Sequence, residues 1–288
     1  MKIKKAFLSV LLLFTLSIAA FAQIKIGLLR GMTSIPFANL YEDEKYDFAF
    51  FDRPEELFSR MQQGQIDATI VSSLIAEELV KKTDHAVTVC AVVSKSDFYI
   101  AGRQRGKVNF SSLVGHTLYV PGKGLSYKML FYLLKKNHIP VEDGPGGINV
   151  VLMENQEKTL SAFLKDEDSY ALLSGPALFE ALKRSHKIKI NLDLQEQFQI
   201  LEGNGKILPN SVLLVRSQLV RERMGLLQIL KKDLETSVDQ IVKRPKYTAK
   251  VAVKNNFGLS EKNCAGAISL SSFDFIPVNE EFHLIVNQ

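Results

Sequence analysis

The stretch from Ser112 to Ile139, SLVGHTLYVPGKGLSYKMLFYLLKKNHI, decides how the chain is read. His116 to Pro121 is a short β-rich run and Pro121-Gly122-Lys123-Gly124 is a turn. From Leu125 an apolar face runs through Met129, Leu130, Leu133 and Leu134, which predicts a helix. Lys135 and Lys136 fall in its last turn, where cations complement the helix dipole. The unit is strand, glycine loop, helix. A loop that opens a helix leaves backbone N–H groups pointing into one space, a receptor for an anion or a polar head. By itself the unit is also what an ordinary strand-to-helix turn looks like.

Three other runs end the same way. Ile24 to Leu29 is apolar and ends in Arg30-Gly31-Met32-Thr33-Ser34. Ile66 to Val71 ends in Ser72-Ser73 before LIAEELVKK, and Tyr170 to Leu173 ends in Ser174-Gly175-Pro176 before ALFEALKR. Strands alternate with helices, so the fold class is α/β. In open α/β sheets ligands bind beyond the carboxyl ends of strands, where such loops gather. Residues 57–79 (LFSRMQQGQIDATIVSSLIAEEL) and 160–182 (LSAFLKDEDSYALLSGPALFEAL) share one order: helix, turn, Asp, apolar strand, small pair, helix. That order hints at two similar lobes. Val87 to Gly102 is long enough to leave one lobe for another, and Pro209 to Val215 is the natural return. Two crossings make a hinge, with residues 23–97 and 212–288 forming lobe I and 98–211 forming lobe II.

The amino end differs from the rest. Lys2, Lys4 and Lys5 precede an apolar run from Ala6 to about Ile18, and Ala20-Phe21-Ala22 supplies small residues for cleavage. Residues 1–22 read as a secretory signal peptide cut after Ala22, the run being short for a membrane span. The expected location is therefore periplasmic or secreted. Without those three lysines the formal net charge falls from +5 to +2, so the basic pI is partly a property of the leader. No basic patch interleaves with aromatics, and no nucleic-acid partner is expected. The 288 residues, 46% apolar and 23% charged, suit one large or two modest domains. Cys90 lies in the apolar run AVTVCAVV and reads as core, and a bridge to Cys264 is not expected.

Chemistry is sparse. His85, His116, His138, His186 and His283 have no metal-ligand spacing. No G-x-S-x-G, H-E-x-x-H or P-loop occurs. Neither catalytic nor metal residues are assigned, no cofactor is expected, and the chain reads as a non-enzyme. Asp67 could face a cleft, although an acid opening a strand more often packs or turns. The donors Thr33, Ser34, Ser72, Ser73, Lys123, Ser126 and Ser174 lie on loops without Asp or Glu, so a neutral to positive cleft is expected.

The stretches GLLRGMTSIPFANL, QQGQIDATIVSSLIAEEL, FSSLVGHTLYVPGKGLSYKMLFYLLKKNHIP, ALLSGPALFEAL, NLDLQEQF and LPNSVLLV cover most of residues 24–215. In that order they resemble the periplasmic solute-binding proteins of ABC importers, in the nitrate/sulfonate/taurine and NMT1/THI5-like branch. The resemblance implies a type II binding-protein fold of two α/β lobes that close on a solute, and delivery of that solute to a membrane permease by a monomer. It puts the ligand-binding loops on Gly31, Met32, Thr33 and Ser34, on Ser72 and Ser73, on Gly122, Lys123, Gly124 and Ser126, and on Ser174, Gly175 and Pro176. Sulfonate, nitrate, a pyrimidine precursor and a flavin-like compound are all compatible. The rivals are an enzyme on the same fold, such as a THI5-like pyrimidine synthase or a menaquinone-pathway lyase, and a ligand-sensing domain.

Overall fold

The computed structural model describes residues 23–142, 144 and 146–278. The expected signal peptide lies outside these residues. The chain opens with β1 (Ile24–Leu29), a 3-10 helix (Met32–Leu40) and β2 (Tyr46–Phe51), then α1 (Pro54–Gln62), β3 (Ala68–Ser72), α2 (Ser73–Lys82) and β4 (Val87–Lys95). Next come β5 (Phe98–Gly102), β6 (Thr117–Pro121), α3 (Leu125–Lys136), β7 (Asn149–Met153), α4 (Gln156–Lys165), β8 (Tyr170–Ser174), α5 (Gly175–Arg184), β9 (Lys189–Asp193) and α6 (Leu194–Glu202). The chain closes with β10 (Pro209–Arg216), α7 (Ser217–Glu222), α8 (Met224–Lys243), α9 (Pro245–Lys254), α10 (Glu261–Ser269) and β11 (Phe273–Pro277).

The strands form two sheets, in the orders β11-β4-β10-β3-β1-β2 and β7-β6-β8-β5-β9. β1 is parallel to β2 and β3, and β10 is antiparallel to both β3 and β4. In the second sheet β6 is parallel to β7 and β8, while β5 is antiparallel to β8 and β9. Apart from the edge strand β11, both sheets follow one plan: second, first, third, a strand arriving from the other sheet, fourth. β3 and β8 lie in the repeated stretches noted in the sequence and occupy the same place in that plan. Their helices begin at comparable signals: the Ser72 side chain accepts from Ile75 N–H at α2, and Pro176 sits in the first turn of α5.

Each sheet is covered on both faces by apolar clusters. Ile26, Leu28, Ile70, Leu213 and Leu230 lie on one side of the first sheet, and Leu57, Val71, Val92 and Leu214 on the other. Leu118, Val120, Met129, Leu133 and Leu172 cover one side of the second, and Ala101, Phe163, Leu173 and Leu178 the other. Cys90 and Cys264 are buried free thiols, and burial pushes both up to about 11. Asp67 is buried and paired with Arg216 at 2.6 Å, at the end of β3 away from Ser72, so it packs the sheet. The carboxyl tail adds an edge strand to the first sheet, β11, which pairs with β4.

The sheets are joined where β4 gives way to β5 through Ser96 and Asp97 alone, and where the chain returns into β10. The two passes lie side by side, because Ser96 N–H donates to the Leu208 carbonyl at 2.7 Å. The tail passes the same place: Lys95 N–H donates to Ser272 O at 2.9 Å and the Tyr99 hydroxyl donates to Leu270 O at 3.1 Å. α10 then braces the seam. Phe179 of α5 lies against Gly266, where a Cβ would come within 2.0 Å of its ring, and Lys183 donates to Asn263 at 2.7 Å.

The first sheet depends on β10, whose Leu213 is fully buried opposite Ile70 and Ala91. Leu213→Ala is expected to lower the unfolding free energy by about 2–5 kcal/mol, measured by denaturant titration.

Candidate functional site

The carboxyl ends of β1, β3 and β8 converge on this junction. Met32 and Thr33, just past β1, line a cavity of about 30 Å³ with Ser94, Asp97, Asn210, Ser211, Ser271 and Phe273. Ser94 and Ser211 share a hydrogen bond at 2.6 Å across β4 and β10. The cavity therefore draws on β1, both passes and the tail. It has room for about one water-sized group.

The other loops are distributed unevenly. Gly31 takes φ +130, a conformation open to glycine, and its N–H donates to Phe257 O at 2.8 Å. Ser34 is turned inward and donates to Leu29 O. Ser73 is buried, and its hydroxyl donates to Pro209 O at 2.6 Å, tying the start of α2 to the return pass. Leu74, in the same turn, packs against the second sheet's cluster that contains Leu125. At β6, Gly122 (φ +51) donates to Met153 O at 2.7 Å, while Lys123 and Gly124 are exposed and Ser126 is buried. α3 starts at Gly124 with no side-chain cap, so its first N–H groups have no partner from that source.

At the β8 loop the Ser174 N–H meets Gln156 at 3.4 Å. A Cβ on Gly175 would lie 2.6 Å from Leu270 O and 3.3 Å from Asp97, so only glycine fits between α5 and the tail. Of the thirteen residues expected to bind ligand, Met32 and Thr33 line the junction cavity, and the other eleven, Lys123, Ser126 and Ser174 among them, lie outside its lining.

Sequence reasoning missed Ser94, Asp97, Asn210, Ser211, Ser271 and Phe273. Asp97 matters most, because it puts a carboxyl where the loops carry none. It is 6% exposed. Asn210 Nδ2 donates to it at 2.9 Å, and Ser271 and the Gly175 backbone N–H donate as well. Burial outweighs these donors, with Asp193 adding repulsion, and pushes Asp97 up to about 6. The available signal was position: Ser94 to Asp97 and Asn210-Ser211 interrupt apolar runs at the two crossings.

Asp97 titrates near 3.8 when unfolded and near 6 when folded, so the native state holds its proton more tightly. Its contribution is complete below pH 3.8 and is lost as pH rises to about 6. Asp97→Asn is therefore expected to match wild type near pH 4 and to gain stability relative to it above pH 6, by an amount on the order of 2 kcal/mol. Thermal melts of both proteins from pH 4 to 8 read this difference.

No family model matches this sequence, and no curated protein does. Solved structures share its fold. An ABC transporter protein from Parabacteroides distasonis aligns with a TM-score of 0.66 at 17% identity, covering 88% of this chain and 86% of that one. The periplasmic aliphatic sulphonate-binding protein SsuA from Escherichia coli aligns at 0.66 and 14% identity, over 89% and 82%. The alkanesulfonate-binding protein SsuA from Xanthomonas axonopodis pv. citri, bound to MOPS, aligns at 0.56 and 15% identity, over 89% and 88%. At these identities the likeness concerns architecture. Among the described residues no helix is long and apolar enough to cross a membrane. The chain has the two-lobe α/β fold of the periplasmic binding proteins of ABC importers.

Proposed function

We propose that the chain is the extracytoplasmic solute-binding component of an ABC-type importer. It captures a small polar or anionic solute between two lobes and delivers it to a membrane permease, and it acts by binding, without chemistry on the solute. Lobe I comprises residues 23–97 and 212–288, and lobe II residues 98–211. A signal peptide cut after Ala22 carries it out of the cytoplasm. The observation that carries this reading is the convergence of strand ends from both sheets on one hinge, in a fold whose solved examples include sulphonate-binding proteins.

Gly31 to Ser34, Ser72-Ser73, Gly122 to Lys123-Gly124, Ser126 and Ser174 to Pro176 form the ligand loops in this reading. Lys123 and the first N–H groups of α3 supply the positive pole. Hydrogen bonds to a charged group are worth roughly 1.5–3 kcal/mol each, so three at the upper end of that range reach micromolar binding. A sulfonate or nitrate fits that pole. Opening about the two passes admits the solute, and closing brings the β6 loop over the β1 and β3 loops.

Lys123→Ala is expected to weaken an anionic solute about tenfold while leaving the fold intact, because an exposed loop lysine contributes little stability. Calorimetric titration of both proteins with alkanesulfonates, nitrate and pyrimidines measures it. A cation as sole binder, or an anion held as tightly by the variant, contradicts the assigned charge.

A further inference from the structure

A cavity of about 720 Å³ lies away from the hinge. It lies between the segment that follows β5 and the segment that enters β9, and Arg103, Arg105, His186, Lys187, Lys189 and Ile190 line it. β5 runs antiparallel to β8, with Phe98 opposite Ser174 and Ala101 opposite Ala171. Arg103 therefore sits past the start of β8, at the far end from the ligand loops. Five residues of strand at ~3.3 Å each put the two ends about 15 Å apart.

The lining is unusual for its charge. Four permanent cations meet there in a chain whose formal charge past Ala22 is only +2, and no Asp or Glu is among the lining residues. Concave surfaces lined by one sign of charge focus the field and concentrate counter-ions. Arg103 is held rigidly: its guanidinium donates to Asp166 O at 2.9 Å and Phe163 O at 3.1 Å, and stacks 4.6 Å above the Phe163 ring. Those acceptors are neutral carbonyls, so its charge is not cancelled. Arg105 and Lys189 make no ion pair among the described residues, and Lys187 reaches Glu167 only at 3.9 Å with both side chains mostly in water. Glu167 and Asp168 line an adjoining hollow, which Arg103 and Arg105 line as well, and neither carboxylate is among the residues lining this cavity.

We propose that this cavity is a second binding site, separate from the solute cleft, for an anionic phosphate group. Arg105 offers a planar fork that matches phosphate oxygens, while Arg103, its fork committed to carbonyls, adds fixed positive charge and Lys187 and Lys189 add point charges. At this volume it admits a ligand larger than a single inorganic ion. The phosphate belongs either to a soluble polyphosphorylated molecule or to an anionic lipid headgroup.

Titration of the protein with sodium tripolyphosphate, and co-sedimentation with phosphatidylglycerol vesicles against phosphatidylcholine vesicles, tests this. Wild type binds at least one of the two phosphate probes. Arg105→Glu/Lys189→Glu weakens that binding at least tenfold, and Arg105→Gln/Lys189→Gln weakens it to a lesser degree. Circular dichroism of each variant verifies folding. Binding of tripolyphosphate alone assigns a soluble ligand, and binding of phosphatidylglycerol vesicles assigns a headgroup. If wild type binds neither, or if both variants bind as tightly as wild type, the site does not exist.

Discussion

Two peptide segments pass between the sheets side by side, and a single backbone hydrogen bond, Ser96 to Leu208 at 2.7 Å, marks where they touch. Most of the architecture follows from that adjacency. Because β5 enters the second sheet and β10 enters the first, each sheet acquires one strand running against its neighbours. The parallel strands β1, β3 and β8 then have their carboxyl ends at the junction, and the loops that follow them have nowhere else to lie. The polar junction cavity is a consequence of how the chain crosses.

The junction is polar where the sheets are apolar, and this contrast suits a hinge. Packed cores resist deformation and behave as rigid bodies. Ser94, Ser211, Asn210, Ser271 and Asp97 instead hold the passes by hydrogen bonds. Such bonds exchange with water at modest net cost. Asp97 is the exception, because burial without a cation opposes its charged form. Gly175 and Gly266 let α5 approach the tail closely, so α10 both completes the first core through Cys264 and Ile268 and meets the second lobe through Phe179.

Local signals were legible and long-range ones were not. The glycine loop and apolar stripe after His116 gave a strand at Thr117–Pro121 and a helix from Leu125 because both obey their periods over neighbouring residues. The matching order of residues 57–79 and 160–182 is visible because it repeats in sequence. β11 was hidden: FDFIP is short, and its partner β4 lies far back in the chain. α6 was hidden too, since its polar surface masked the Asp193 cap that accepts from Gln195 and Glu196. The junction cavity combines side chains from four distant segments, each unremarkable in its own stretch of sequence. Only the crossing brings them together.

Small-angle X-ray scattering of residues 23–288, with and without the solute that co-purifies from the extracytoplasmic fraction, tests the two-lobe account most directly. A smaller radius of gyration is expected at saturating solute, as the lobes close about Ser96–Asp97 and Leu208–Asn210. An unchanged radius with the solute bound would show that the sheets form one rigid body, and would contradict it.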